Sequence, residues 1–198
     1  MKKIIAMLAI LLTFAAVASA QVGSPFSLYA GGALSFPTAP DGFKNAYKNG
    51  YHGFAGLGFD VNPLIEFVVK AEYHAFGFNF DDANSDYSGG TNKVWMFGGD
   101  LKFSPALPSF PLKPYVLGGA GLAKLQQTEF DGPPSLTLSL LNQTIPEDQS
   151  KLYWNFGGGL NLFQGPKVSM FAQVRYVSIA TDNEASSFIP VTIGFKFF

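Results

Sequence analysis

PVTIGFKFF, residues 190–198, closes the chain. Val191, Ile193, Phe195 and Phe197 alternate with Thr192, Gly194 and Lys196, the period of a strand with one apolar and one mixed face. Chain ends are normally polar and frayed, so a closing pair of phenylalanines signals a terminus held in a sheet or read by another molecule.

The opening residues set the compartment. MKKIIAMLAILLTFAAVASA, residues 1–20, has two lysines, an apolar run and a small-x-small ending, the pattern of a cleaved secretory signal. One domain, 21–198, is expected to follow. Removing the signal takes two lysines and no acid, leaving 11 basic side chains against 14 acidic ones, a balance unsuited to nucleic acid. With no cysteine, an exported chain has neither a disulfide framework nor thiol chemistry. Beyond residue 20 no run approaches the ~20 apolar residues of a membrane helix, so bilayer entry would require a closed barrel of strands about 9 to 11 residues long.

Eight alternating segments of about that length are present, at 26–36, 51–61, 64–78, 92–103, 113–125, 151–163, 167–179 and 188–198. Prolines concentrate between them, as at Pro63, Pro105, Pro108, Pro111, Pro133, Pro134 and Pro166. Connections are long after strands one, three, five and seven and shorter after two, four and six. Outer-membrane barrels have this arrangement, with short periplasmic turns and long outer loops, which would put both termini in the periplasm.

Charge decides which face looks outward. In 92–103, Trp95, Phe97, Gly99, Leu101 and Phe103 oppose Met96, Gly98, Asp100 and Lys102; in 64–78, Ile65, Phe67, Val69, Ala71 and Tyr73 oppose Glu66, Lys70, Glu72 and His74. Only the first set of each pair can meet lipid. In 167–179, Val168, Met170, Val174 and Tyr176 likewise oppose Gln173 and Arg175, whereas 113–125 is too rich in small residues to orient. Aromatics gather near strand ends, as interfacial girdles require. A soluble barrel with these aromatics inside is the competing reading, but the charged faces suit a cramped polar lumen better. Asp60, Glu66, Glu72 and Asp100 would then share that lumen with Lys70, Lys102, Arg175 and Lys196, a mutually neutralising network, with Asn155 and Asn161 hydrogen bonding beside it.

The signal, the eight strands, PYVLGGAG, NFGGGLNLF and the terminal FIPVTIGFKFF together resemble the small OmpA/OmpX-like outer-membrane β-barrel family. The resemblance implies an all-β, eight-stranded antiparallel up-and-down transmembrane β-barrel in the outer membrane of a Gram-negative-type bacterium, surrounded by lipid and lipopolysaccharide. It also implies that barrel-assembly machinery reads the last strand, here Ile189, Val191, Ile193, Phe195 and Phe197. Phe198 is one residue beyond the family spacing.

One constellation is sharper. If the second hairpin turns at VNP, His52 and His74 face each other inward near the mouth, with Ser35 beside His52 and Glu72 just below His74. These residue types suit a hydrolase or, with Glu72 as third ligand, a divalent metal, but ordinary mouth-lining residues are the expectation. No catalytic, metal or cofactor role is assigned. GGAG and GGG precede no helix, so they read as packing glycines and not phosphate cradles. The function expected is structural or surface-interacting, with the 126–150 loop as the candidate contact for an extracellular protein; within it TLSLLNQTI alternates and is expected to extend the strands as an edge for strand addition. The alternative is a barrel enzyme acting on lipid or lipopolysaccharide.

Deleting Phe197 and Phe198 together should lower the amount of protein inserted in the outer membrane, with unfolded chain left in the periplasm, while deleting Phe198 alone should be mild. Quantifying membrane and periplasmic fractions checks this. Equal damage from the single deletion would make Phe198 the aromatic that is read.

Overall fold

Eight runs of period-two alternation, each separated by proline, glycine or Asx chemistry, become eight strands. They are β1 (Phe26–Ala39), β2 (Gly50–Asn62), β3 (Ile65–Phe76), β4 (Asn92–Phe103), β5 (Lys113–Gln127), β6 (Gln149–Gln164), β7 (Val168–Ile179) and β8 (Ser186–Phe197). The computed structural model describes residues 26–80, 87–105, 112–133, 136–143, 145–182 and 184–198; the expected signal, 1–20, lies outside them.

Each strand pairs antiparallel with its chain neighbours, and β8 returns to β1, closing the barrel. The seam runs from Leu28 opposite Phe197 to Phe36 opposite Ile189, continues to Pro37 opposite Phe188, and shifts at a bulge before Ala39. Phe197 is the last ladder residue, pairing also with Val168; beyond it the Phe198 N–H donates to the Lys167 carbonyl at 3.1 Å. The β7–β8 ladder skips Ile189 and Pro190, as a residue without an N–H dictates.

The β2–β3, β4–β5 and β6–β7 connections lie at one end, here the turn end, with the start of β1 and the end of β8. Asn62 shapes the β2–β3 turn: its Oδ1 accepts from the Leu64 and Ile65 N–H groups, both at 2.9 Å, an Asx turn around Pro63. The other end is the loop end. There a short helix, α1 (Asp41–Ala46), follows β1, and a two-residue ladder joins Ser88–Gly89 to Phe130–Asp131.

The TLSLLNQTI segment is not the strand extension expected of it: Leu136–Gln143 forms a helix, α2. Pro133 has no N–H to donate to a ladder continuing from β5, and leucine is a strong helix former. Asn142 makes the contacts a third strand would otherwise supply. Its Oδ1 accepts from the Phe130 N–H at 2.8 Å and its amide donates to the Phe130 carbonyl at 3.1 Å.

The facing of the strands follows the charges. Glu66, Lys70, Glu72, His74, Met96, Asp100, Lys102 and Arg175 are buried in the lumen, while Phe67, Val69, Phe97, Leu101 and Val174 cover the outside. β5, unoriented by its sequence, points Tyr115, Leu117 and Ala123 inward and Val116 and Leu122 outward. On the outer wall the loop end carries Tyr51, Tyr73, Trp95, Trp154 and Tyr176, with Tyr73 and Trp95 rings 4.6 Å apart. The turn end carries phenylalanines, among them Phe26, Phe59, Phe103 and Phe195.

Leu101 is 57% exposed on the apolar wall and its neighbour Asp100 is 5% exposed in the lumen. Leu101→Arg should therefore destabilise the barrel in a bilayer by about 2 to 4 kcal/mol if at mid-depth, and Leu101→Ala, which stays apolar against lipid, by less. Urea unfolding in lipid vesicles gives the order; its reversal would invert the facing of β4.

Candidate functional site

Alternate residues of β3 read out the lumen from turn end to loop end: Glu66, Val68, Lys70, Glu72, His74, Phe76. The single charge network expected from the sequence is two clusters with an apolar layer between them.

The lower cluster centres on Glu66. Ser27 Oγ donates to it at 2.8 Å, Tyr29 Oη at 2.6 Å, Lys196 Nζ lies at 2.9 Å and Lys102 Nζ at 4.0 Å. Asp60, at the rim, is 3.9 Å from Lys196. Lys102 also stands 3.9 Å above the Tyr115 ring. Over this cluster Tyr29, Val68, Tyr115, Leu117 and Phe171 form the apolar layer, with Phe54 against them.

The upper cluster joins Lys70 to Glu72 at 2.7 Å and to Asp100 at 2.6 Å, and Asn155 donates to Asp100 at 2.9 Å. Arg175 grips Glu72 with both terminal nitrogens, Nη1 to Oε1 at 2.9 Å and Nη2 to Oε2. β7 and β3 lie four strands apart in a ring of eight, so this fork is a brace across the full width of the lumen. Glycines give it room. A methyl group on Gly157 would meet Arg175 Cγ at 2.8 Å, and one on Gly121 would meet the Tyr153 ring at 2.8 Å. GGG and GGAG are thus sockets for large lumen side chains contributed by neighbouring strands.

His52 and His74 face each other as the turn predicts, their rings stacked 5.0 Å apart. Ser35 lies beside His52, and its Oγ bridges both rings, 3.2 Å from His52 Nδ1 and 2.9 Å from His74 Nδ1, because β1 lies beside β2 and the barrel curves across to β3. Glu72 lies beside His74, at 3.6 Å. The sequence reading missed Thr192, whose Oγ1 is 2.9 Å from His52 Nε2; β8 returns beside β1 only once the barrel closes. Nor do the imidazoles line the mouth. Ser35, His52 and His74 are buried beneath a layer of Phe76, Val94, Met96, Tyr153, Val177, Ile179 and Phe188, and Phe43 of α1 packs on top.

One directional arrangement satisfies every contact. Thr192 donates to His52 Nε2, His52 Nδ1–H to Ser35, Ser35 to His74 Nδ1, and His74 Nε2–H points to Glu72. Ser35, His74 and Glu72 therefore have the connectivity of a nucleophile, base and orienting acid, yet the serine is fully buried. Among the described residues no group of three or more His, Cys, Asp or Glu is arranged to hold a metal ion.

The aromatic layer continues outward. Phe76 packs on Phe43 at 5.3 Å, Phe43 on Tyr47 at 5.4 Å, Tyr47 on Phe78 at 5.7 Å and Phe78 on Phe130 at 5.1 Å. Backbone bonds follow the same route, Lys48 N–H to Gly77 O at 2.8 Å and Gly90 N–H to Glu129 O at 3.0 Å. Three loops are thereby fastened to one another and to the lumen.

The chain matches the family described as outer membrane protein beta-barrel domain over residues 7–197. No curated protein matches it. Among solved structures, Neisserial surface protein A aligns with a TM-score of 0.62 at 17% identity, over 88% of this chain and 97% of that one. A major outer membrane protein from Thermus thermophilus gives 0.55 at 12%, over 87% and 97%. Ail, the attachment invasion locus protein of Yersinia pestis, solved with the heparin analogue sucrose octasulfate, gives 0.51 at 19%, over 87% and 97%. At such identities the superpositions show a shared fold and no more.

Arg175→Met leaves Glu72 and Asp100 with Lys70 as their one cation in the upper cluster, and should cost about 3 to 5 kcal/mol. Adding Glu72→Gln restores charge balance, so the double variant should be more stable than the sum of the two single losses. Unfolding free energies of the three variants check this; additivity would show that the fork carries no coupling.

Proposed function

Because the chain belongs to the outer membrane protein beta-barrel domain family, we propose that it resides in the outer membrane, with its turn end and both termini in the periplasm and its long loops outside. Tight connections after β2 and β6 at one end and long loops after β1, β3 and β5 at the other support that orientation. The route proposed is export behind the 1–20 signal and insertion by barrel-assembly machinery that reads Ile189, Val191, Ile193, Phe195, Phe197 and Phe198.

Its role in this reading is structural or surface-interacting, and the observation that carries it is the filled lumen. Two charge clusters and two apolar layers occupy the interior, which leaves the fastened loop cap as the surface offered to the outside. The contact within the 126–150 loop would be made by the Phe130–Asp131 strand and α2 rather than by an added edge strand. The connected Ser35, His74 and Glu72 favour the alternative, an enzyme acting on lipid or lipopolysaccharide. Against it, acyl chains meet the outer wall of a barrel while these side chains lie inside beneath an aromatic layer.

Purified protein refolded into planar bilayers should give no stepwise conductance, and lipid A from expressing cells should keep its mass. A stable open channel would contradict the filled lumen. A change in lipid A mass abolished by Ser35→Ala would establish the enzyme.

A further inference from the structure

A cavity of about 730 Å³ opens at the turn end, below the lower charge cluster. That volume lies within the roughly 300 to 1,000 Å³ of small-molecule sites. Much of its polar lining is already engaged: Glu66 has four partners, Lys102 sits on Tyr115 and bonds Tyr29 at 3.3 Å, and Asn62 holds its turn.

The polar groups that remain follow the wall of β5, β6 and β7. Lys113 is opposite Asn161 in the β5–β6 ladder, and the bulge after Asn161 brings Gln164 opposite Ser169. Ser169 is 2% exposed, and its hydroxyl has no hydrogen-bond partner among the described residues, a condition native interiors rarely leave unanswered. The Lys113 ammonium is in no ion pair among the described residues, so an ammonium, an amide and a hydroxyl are available on this part of the lining. Three strands round the wall, Asp60 offers the opposite charge. Its side chain is half exposed and its cation, Lys196, lies 3.9 Å away but 2.9 Å from Glu66. Ile65 and Phe198 supply apolar lining to the same cavity.

We propose that this vestibule binds a short zwitterionic peptide. Its carboxylate is held by the Lys113 ammonium and the Ser169 hydroxyl, its ammonium by Asp60, and its small side chains rest on Ile65 and Phe198. A plain anion would use Lys113 and leave Asp60 under-neutralised; a ligand carrying both charges answers both walls. The site is independent of the loop cap and faces the opposite side of the barrel.

Trialanine titrated into the full mature chain, ¹⁵N-labelled and refolded in detergent micelles, tests this. The expected result is a saturable set of amide shifts centred on Lys113, Asn161 and Ser169. Lys113→Ala and Ser169→Ala, both at positions where a smaller side chain leaves the ladder intact, should each weaken binding, the former by about tenfold as for loss of one charged hydrogen bond. C-amidated trialanine should lose affinity through Lys113 and N-acetylated trialanine through Asp60. Non-saturating shifts, or blocked peptides binding as tightly as the free one, would overturn the proposal.

Discussion

Inside a bilayer no water stands ready to satisfy a backbone N–H or carbonyl, so a sheet can cross only if its last strand finds its first. In this chain that condition is met along the seam from Leu28 and Phe197 to Phe36 and Ile189. Much else follows from it. An even number of antiparallel strands puts both termini at the turn end, and eight strands enclose only enough space for side chains. The ladder defects, at Pro37, between Asp60 and Asn62, at Asn161 and around Pro190, lie toward strand ends or are bridged by the neighbouring strand.

A narrow closed interior imposes its own chemistry. Charges placed there must be neutralised at contact distance, and their side chains need volume that the adjacent strand gives up. Arg175 meets both requirements at once: Glu72 receives its fork and Gly157 yields the space beside it. The apolar layer of Tyr29, Val68, Tyr115, Leu117 and Phe171 separates the two charge clusters, so each balances locally. Upward, the same packing continues through Phe76 and Phe43 into the loops, making cap and lumen one mechanical unit. Downward, it ends at a vestibule whose Ser169 and Lys113 remain available.

Most of what depends on neighbours in sequence or in register was legible. Alternation gave the eight strands and the facing of β3, β4 and β7, and the VNP turn placed His52 opposite His74. What depends on the curvature of the closed wall was not. Nothing in the alternation tells Arg175 that its partner across the lumen is Glu72, because strand tilt and shear set that pairing. Thr192 was missed for the same reason, since it reaches His52 only through closure. The α2 error had a local cause: leucines in TLSLLNQTI satisfy a period of two and a helix equally, and the Asn142 contact with Phe130 lies outside the segment's own pattern. Small residues hid the facing of β5, although Tyr115 and Leu117, two apart, carried the signal.

Closure is the claim on which all of this rests, and electrophoretic mobility tests it directly. A barrel with every strand paired resists dodecyl sulfate until heated, so unboiled protein refolded in detergent should migrate apart from the boiled sample on a denaturing gel. Identical mobility of the two would contradict a closed barrel.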